Sequence, residues 1–548
     1  MSKFNKTSTR PAGGTSPVFT EAAPTGKTFE GAPGYARDAK SELFLLAVSN
    51  MVGEQTFYEQ ADARDSRYQK LVRQVAVADP EWTAGFLAWL RGDANMRSAA
   101  LVGAAEFVRG RLAAGGEQQL PRRDHTTEGT DSLSYSTASN RRVIASVLQR
   151  ADEPGELLAY WTSRHGRAIP KPVKRGIAAA VGRLYTEYTL LKYDTATRGF
   201  RFADVIELVH PAPVTPRQGE LFRYALARRH NRPDVPDPEA LPMVAFNRTL
   251  RALAATNPER HLLDQEALRR AGMTWEDALS LAGSTVDKAK LWEALIPSMG
   301  YMALLRNLRN FDQAGVSDQV AEQVAARLAD PDQVAKSRQF PFRFYAAYNA
   351  VGSLRWGHAL EKALAASLAN VPALPGRTLV LVDQSPSMFP GYYSAAQQVM
   401  RDISNADVAK MFGSALALRA ANATLVGYGH TNYRVPFGPG EAVLRVMGKF
   451  RQEYGTDAYG AARDHFDRHD RIVVVTDGEN NGSLRSWKHA RVPGTVPIYT
   501  WNIAGYRLSQ DPGGRNRHTF GGLTDQAFRM IPLLEAGKSQ TWPWVSAN

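Results

Sequence analysis

The sequence of 548 residues contains no cysteine, and this absence excludes disulfide bonds, thiolate metal sites and a cysteine nucleophile. It also lacks an early apolar run that could serve as a signal sequence, and a run long enough to span a bilayer. We therefore expect a cytoplasmic protein with no membrane partner. Charged residues make up 22% and hydrophobic residues 44% of the chain, which is typical of globular proteins.

Acidic residues are too few to balance the basic ones. Lys and Arg number 67 against 54 Asp and Glu, so the formal net charge is +13. Such a charge favours an acidic partner, for example a nucleic acid. The sequence also lacks a G-x-S-x-G elbow, a G-x-x-x-x-G-K phosphate loop and an H-E-x-x-H pair, which are common signs of hydrolases and nucleotide-dependent enzymes. We therefore expect a protein that is not an enzyme.

Apolar residues recur at helical spacing through the first two thirds of the chain,. This pattern begins at Ser41 and predicts a long series of helices, and the last of them covers His358–Ala366. Amphipathic helices joined by polar loops indicate stacked pairs of the irregular HEAT type. An ordinary all-helical domain without repeats is the alternative, because no fixed period is present. Residues 1–36 are rich in Gly, Pro, Ser and Thr, and are predicted to form a flexible arm.

From residue 371 the pattern changes to alternating strands and helices, which predicts a parallel, doubly wound sheet. Thr378–Asp383 and Ile472–Asp477 are apolar runs that end in an acid, as expected for strands buried on both faces. The remaining elements are strands at Ala423–Tyr428 and Val496–Ile503, and helices at Tyr393–Ser404, Ala406–Ala420, Gly440–Phe450, Asp457–Phe466 and Thr524–Leu534. The basic stretch Gly513–His518 is predicted to be a loop.

Oxygen-bearing side chains follow both of these buried runs. Asp383, Ser385 and Ser387 form a D-x-S-x-S motif, Thr456 begins a later T-D pair, and Asp477 ends the second run. Carboxylates at the carboxyl ends of parallel strands lie at the edge where open α/β folds bind ligands. Hard oxygen ligands that converge on one point suit Mg²⁺. For the D-x-S-x-S motif alone, a solvated turn is the alternative.

In this order, the three motifs resemble the metal-ion-dependent adhesion site of von Willebrand factor A domains. The resemblance implies that Asp383, Ser385, Ser387, Thr456 and Asp477 surround a divalent metal, which is most often Mg²⁺. Several helical segments resemble the TROVE domain of the Ro autoantigen family, and these are Ile296–Asn310, Ser337–Tyr348, Phe44–Tyr58 and Asp204–Pro211. The resemblance therefore implies an arm at residues 1–36, a ring of HEAT-like helices at 37–370 and a von Willebrand A domain at 371–548.

The resemblance to bacterial Ro-type proteins also implies a function in RNA quality control. It implies that a small Y-type non-coding RNA binds the outer surface, while single-stranded 3′ ends of misfolded RNA enter the central hole. The exoribonuclease polynucleotide phosphorylase is the protein partner that it implies. One alternative is a metal-dependent protein-adhesion scaffold with incidental RNA binding. Another is a metal-dependent nuclease or phosphotransferase.

The candidate RNA-binding residues are basic clusters in the helical part. They are Lys171, Lys174 and Arg175, then Lys192, Arg198 and Arg201, and finally His210. At helical spacing the first three share one face, and each phosphate that they neutralise would release counterions. His210 corresponds to a histidine with which the family contacts Y RNA, but Tyr193 and Thr197 stand where relatives carry basic residues. A solvated helix face is the alternative for each lysine or arginine. Basic residues in the signature segments either face the hole or pack structurally, and these are Arg306, Arg309, Arg338 and Arg343.

Overall fold

The structure is a computed structural model that describes residues 26–27, 33–34, 38–49, 61–115, 138–232, 235–389, 403–477, 490–503, 516–521, 523, 526–536 and 542–545. The chain divides into two compact units. The helical unit comprises Val72–Val324, and the mixed unit comprises Met1–Leu71 and Ala325–Asn548. The boundaries expected after residues 36 and 370 stay predictions. No helix in the described part combines the length and the apolar character needed to cross a membrane.

Helices dominate the first part of the chain, as predicted. They are α1 (Ala39–Ser49), α2 (Ala61–Ala78), α3 (Pro80–Gly92), α4 (Arg97–Ala113), α5 (Asn140–Val147), α6 (Glu153–His165), α7 (Lys171–Leu184), α8 (Glu187–Tyr193), α9 (Phe202–Val209), α10 (Pro216–Arg229), α11 (Pro242–Thr256), α12 (Pro258–Leu262), α13 (Gln265–Arg270), α14 (Trp275–Ala282), α15 (Lys288–Leu295), α16 (Tyr301–Ala314), α17 (Asp318–Ala329), α18 (Pro331–Ser337), α19 (Pro341–Ala350) and α20 (Gly357–Ser367). Helices close in sequence pack on each other, for example α3 on α4 and α9 on α10. A short antiparallel pair, β1 (Gly26–Lys27) and β2 (Pro33–Gly34), lies within the predicted arm.

Helix α7 shows how sequence determines this packing. Its residues Val173, Ile177 and Ala180 are fully buried, and the helix packs against α5. The two helices approach closely at Gly176, where an added Cβ would lie 2.6 Å from the Cβ of Ile144. Because the buried residues follow the helical period, Lys171, Lys174 and Arg175 lie on the other face.

The C-terminal part contains a six-stranded sheet with helices on both faces. Its elements are β3 (Leu374–Asp383), α21 (Asn405–Arg419), β4 (Ala420–Tyr428), β5 (Asn432–Arg434), α22 (Val443–Met447), α23 (Ala458–His465), β6 (Arg471–Thr476), β7 (Ile498–Asn502), β8 (Arg517–Gly521) and α24 (Ala527–Ala536). The strand order is β5-β4-β3-β6-β7-β8. Strand β3 pairs in parallel with both β4 and β6. The predicted fold class, helices followed by a doubly wound α/β sheet, is confirmed.

The central strand β3 is covered on both faces, which explains its unbroken apolar sequence. Leu379 and Leu381 belong to a buried cluster that includes alanines of α23. Val380 and Val382 face α21, since a Cβ added at Gly413 of that helix would lie 2.5 Å from Val382 and 3.5 Å from Val380. Alternate residues of one strand therefore fill two separate cores.

The structure differs from the sequence prediction at the edges of the sheet. Strand β5 pairs antiparallel with β4, so the sheet is mixed rather than wholly parallel. Arg517 and His518, which were assigned to a basic loop, belong to β8, and this strand pairs in parallel with β7. Residues 393–402 of one predicted helix and residues 513–515 of the predicted loop lie outside the described residues.

Candidate metal centre and nucleic-acid interface

The two predicted acidic ligands lie at neighbouring strand ends in the middle of the sheet. Asp383 is the last residue of β3 and Asp477 directly follows β6. Val382 is paired with Val475 across these strands, so both acids reach the same edge. Asp383 is 0% exposed and Asp477 is 3% exposed. Two carboxylates are thus buried at the point where strand connections leave in opposite directions, which is the usual ligand-binding edge of such sheets.

The turn after β3 brings both predicted serine ligands to Asp383. The backbone N–H of Ser385 donates to Asp383 Oδ1 at 2.9 Å. The hydroxyls of Ser385 and Ser387 are 3.1 Å apart, and both serines are buried. Thr476, the last residue of β6, donates its hydroxyl to Asp383 Oδ2 at 2.7 Å. The carboxylate and the two seryl oxygens therefore form one polar cluster.

The predicted ligand Thr456 lies on a loop that hydrogen bonds hold against this edge. The N–H of Glu453 donates to the carbonyl of Gln384 at 2.9 Å, and the N–H of Asp457 donates to the carbonyl of Gly429 at 2.9 Å. Thr456 itself is half-buried. The loop is thus attached both to the turn after β3 and to the residue after β4.

Burial and the negative charge of Asp477 raise the pKa of Asp383 to about 7. Hydrogen bonds from Thr476 and Ser385 oppose this rise. Burial also raises the pKa of the nearby Tyr428 hydroxyl well above its ordinary value, and the charge of Asp383 adds to the effect. Two buried acids that repel each other form a site that a bound cation would stabilise.

The donor set fits a hard divalent cation. The described residues contain no group of three or more His, Cys, Asp or Glu side chains that could hold a metal. A cation at Asp383 and Asp477 would therefore take hydroxyl or water oxygens for its remaining positions. Mg²⁺ accepts such a shell, because it is usually held by one or two carboxylates and keeps several waters.

The three basic residues predicted to share a face of α7 do so. Lys171 and Arg175 are exposed and Lys174 is half-buried. Within the described part of the chain, none of these three side chains forms an ion pair or a hydrogen bond. Their charges are therefore available to an external anion.

The second basic cluster is arranged differently. Arg198 pairs with Asp152 at 3.2 Å and with Glu156 at 3.0 Å. Arg201 pairs with Asp194 at 2.7 Å and its side chain is only 15% exposed. The exposed ammonium of Lys192 lies 5.5 Å and 5.3 Å from the ring centres of Tyr188 and Tyr193. Two of the three predicted phosphate contacts thus already have carboxylate partners.

His210 occupies an unusual backbone position. It caps the C-terminus of α9 with φ 49° and ψ 59°, in the left-handed region. Glycine is the common residue at this kind of cap, because a Cβ is disfavoured there. The histidine is exposed. A strained position that keeps a side chain is a reason to look for a function of that side chain.

One signal of the basic surface was missed in the sequence. Residues 157–186 contain six Lys or Arg and no Asp or Glu. Arg164 and Arg167, at the end of α6 and just after it, are exposed and form no ion pair in the described part of the chain. A count of acids in this window would have distinguished the basic residues of α7, which form no ion pair in the described part of the chain, from the cluster at residues 192–201, whose arginines do. In the signature segments, Arg306, Arg309 and Arg338 are exposed and Arg343 is half-buried.

Comparison with known proteins finds one family whose domain is similar to part of this chain. Residues 266–367 match the TROVE domain. The chain is similar to this family over those residues. It is 45% identical to telomerase protein component 1 of Mus musculus and 43% identical to that of Rattus norvegicus, over 83 residues in each case. Those 83 residues are 15% of this chain and 3% of each relative, so the chain corresponds to a small part of these long proteins.

A solved structure extends the likeness to most of the chain. The Ro (RSR) protein of Deinococcus radiodurans has a TM-score of 0.64 with 17% identity, and the match covers 91% of this chain and 100% of that one. At this identity the match concerns the fold. The fold that the Ro-type resemblance implied is confirmed.

Proposed function

We propose that this protein binds RNA and acts in RNA quality control, with the exposed face of α7 as its docking surface for structured RNA. The observation that carries the proposal is the unpaired charge of Lys171, Lys174 and Arg175. The neighbouring residues Arg164 and Arg167 extend the same basic stretch. Cations without acidic partners gain most from phosphate, since no existing ion pair has to be broken.

The finer features of the proposal follow the Ro-type resemblance. The structured ligand is a Y-type non-coding RNA, which His210 helps to bind. The second ligand is a single-stranded 3′ end of misfolded RNA, bound in the central hole of a ring. The protein itself is not an enzyme, and polynucleotide phosphorylase supplies the nuclease activity in the cytoplasm.

We propose that the edge formed by Asp383 and Asp477 binds Mg²⁺, with Ser385, Ser387 and Thr456 as further ligands. A bound Mg²⁺ would supply an open position for an acidic group of a partner. The protein residues contribute a rigid, buried cluster of oxygens, and the hydrogen bond from Thr476 orients Asp383. A metal-dependent adhesion scaffold remains the second candidate, because this buried acidic pair does not itself require RNA.

A charge reversal on α7 tests the RNA proposal. Lys171→Glu should weaken binding of a labelled stem-loop RNA about fivefold or more at 0.1 M salt, because each lost phosphate contact removes roughly 0.7–0.9 from the salt slope. Lys362→Glu is the matched control, since Lys362 is an exposed helical lysine of the mixed unit. Equal binding by both variants across a salt titration would refute the docking surface. Capture of a protein partner that needs Mg²⁺ and Asp383, without RNA binding, would favour the scaffold.

A further inference from the structure

A cavity of about 270 Å³ lies in the helical unit beside α6. Residues of α6 and of the segment from 193 to 202 line much of it. The segment passes close to α6 at Gly155, where an added Cβ would lie 2.8 Å from the carbonyl oxygen of Phe200. The cavity is therefore built by close backbone packing.

The wall contains a buried hydroxyl that has no partner. Tyr185 lines the cavity, is 2% exposed, and stacks on Phe202 with ring centres 3.8 Å apart at an angle of 10°. Its hydroxyl has no hydrogen-bond partner among the described residues. A buried polar group of this kind is costly, and most such groups in proteins are satisfied. The hydroxyl oxygen is itself inaccessible to solvent, so it is not a contact that a ligand in the cavity reaches.

The rest of the wall combines carboxylates, guanidinium groups and aromatic rings. Glu156 Oε1 accepts a hydrogen bond from Arg198 at 3.0 Å, and Oε2 accepts one from Arg97. A carboxylate has about four acceptor positions, so each oxygen of Glu156 retains capacity for a ligand donor. Tyr193 and Phe200 supply half-buried rings. Proteins read unpaired RNA bases with this set of groups, namely rings for stacking and polar groups for the base edge.

We propose that this cavity binds one unpaired guanine base, either from an RNA strand docked on the helical unit or from a free guanine nucleotide. Guanine is the base that carries two adjacent donors, N1–H and N2–H, which match the two oxygens of one carboxylate such as Glu156. The RNA arm of this inference rests on the proposed RNA binding. The nucleotide arm is independent of it.

A cavity-filling variant tests the proposal. Ala159 lines the cavity, so Ala159→Leu should weaken binding about 5- to 100-fold, the range expected for one lost base contact. Ala255→Leu, at an exposed alanine of α11, is the matched control and should bind like the wild type. The probes are 5′-GMP and 5′-CMP by calorimetry, and two single-stranded 12-mers that differ in one G or C.

The outcomes separate the two proposals. Preference for 5′-GMP and for the G-containing 12-mer, lost in Ala159→Leu alone, supports the cavity. Binding of the G-containing 12-mer that is equal in wild type and Ala159→Leu overturns the cavity and leaves RNA binding intact. If 5′-GMP binds while no RNA does, the cavity stands for nucleotides and the proposed function fails.

Discussion

Metal binding at the edge of the sheet should depend steeply on pH because Asp383 must lose a proton first. Burial and the charge of Asp477 raise the pKa of Asp383 from 3.8 to about 7. A cation and a proton compete for the same carboxylate. Below pH 7 the apparent affinity should therefore fall about tenfold for each pH unit.

The raised pKa of Asp383 also makes the stability of the metal-free protein depend on pH. The folded pKa lies above the unfolded one, so stability is lost as pH rises from about 4 through 7 and then stays constant. A difference of about three pH units corresponds to about 4 kcal/mol at 1.4 kcal/mol per unit. Bound metal should remove this destabilisation. The stabilising effect of a divalent cation should thus be large at pH 8 and small at pH 5.5.

Manganese provides the assay, because Mn²⁺ accepts the same hard oxygen ligands as Mg²⁺ and its free form is counted by electron paramagnetic resonance. Between pH 8 and pH 5.5 the affinity should fall about 30-fold, which follows from 1.5 pH units below pH 7. Asp383→Asn should abolish binding at both pH values and leave RNA binding unchanged. Equal affinity at the two pH values, or wild-type binding by Asp383→Asn, would refute the metal centre.

Three further predictions concern the basic surface of the helical unit, a buried histidine of the mixed unit and the packing of α7 on α5. His210→Ser combined with Lys174→Glu should weaken a structured small RNA and spare a single-stranded 3′ tail in salt-titrated binding curves, and equal weakening of both RNAs would mean one shared surface. Burial lowers the pKa of His469 to about 4, so stability should be lost as pH falls from 6.5 towards 4, by up to about 3 kcal/mol. His469→Gln should remove this loss in acid unfolding curves, and an unchanged pH profile would contradict the assignment. In urea unfolding, Gly176→Ala should destabilise the protein by about 1–3 kcal/mol through overpacking against α5. Gly300→Ala is the control and should have little effect, because no atom lies within 4 Å of the added Cβ.

The sequence was sufficient to predict the strands in which every residue is buried. Thr378–Val382 and Ile472–Val475 consist of apolar or β-branched residues because each strand is covered on both faces, and such runs predict buried strands. Helices with a strong 3.6-residue period were also found, and α20 extends the predicted His358–Ala366 by one residue at each end. The acids at the ends of the two strands could be predicted from the same runs, because the metal motif begins where the apolar pattern stops.

Edge strands and short helices were missed for a physical reason. β5 has three residues and β8 reads Arg-His-Thr-Phe-Gly, so neither carries an apolar run or a clear alternation. Each lies at an edge of the sheet and gains its conformation from backbone pairing with one neighbour. Helices α12 and α13 span five and six residues, which is too short for a period to repeat. Tertiary context decides such segments, and a single sequence does not contain it.

The basic clusters show most clearly what sequence leaves undecided. A sequence gives the number of charges, whereas the partner of each charge depends on residues far away in the chain. Arg198 finds Asp152 and Glu156 more than forty positions earlier, and Asp152 is shared with Arg97 and Arg150. If Arg198 turned to a phosphate, a buried acid would lose one of its three guanidinium partners, at a cost in free energy. Lys171, Lys174 and Arg175 carry no such cost, because none of them forms an ion pair in the described part of the chain. RNA should therefore dock first on α7. The arginines beside the cavity should bind a ligand only where a base of that ligand replaces the ion pairs that the arginines break.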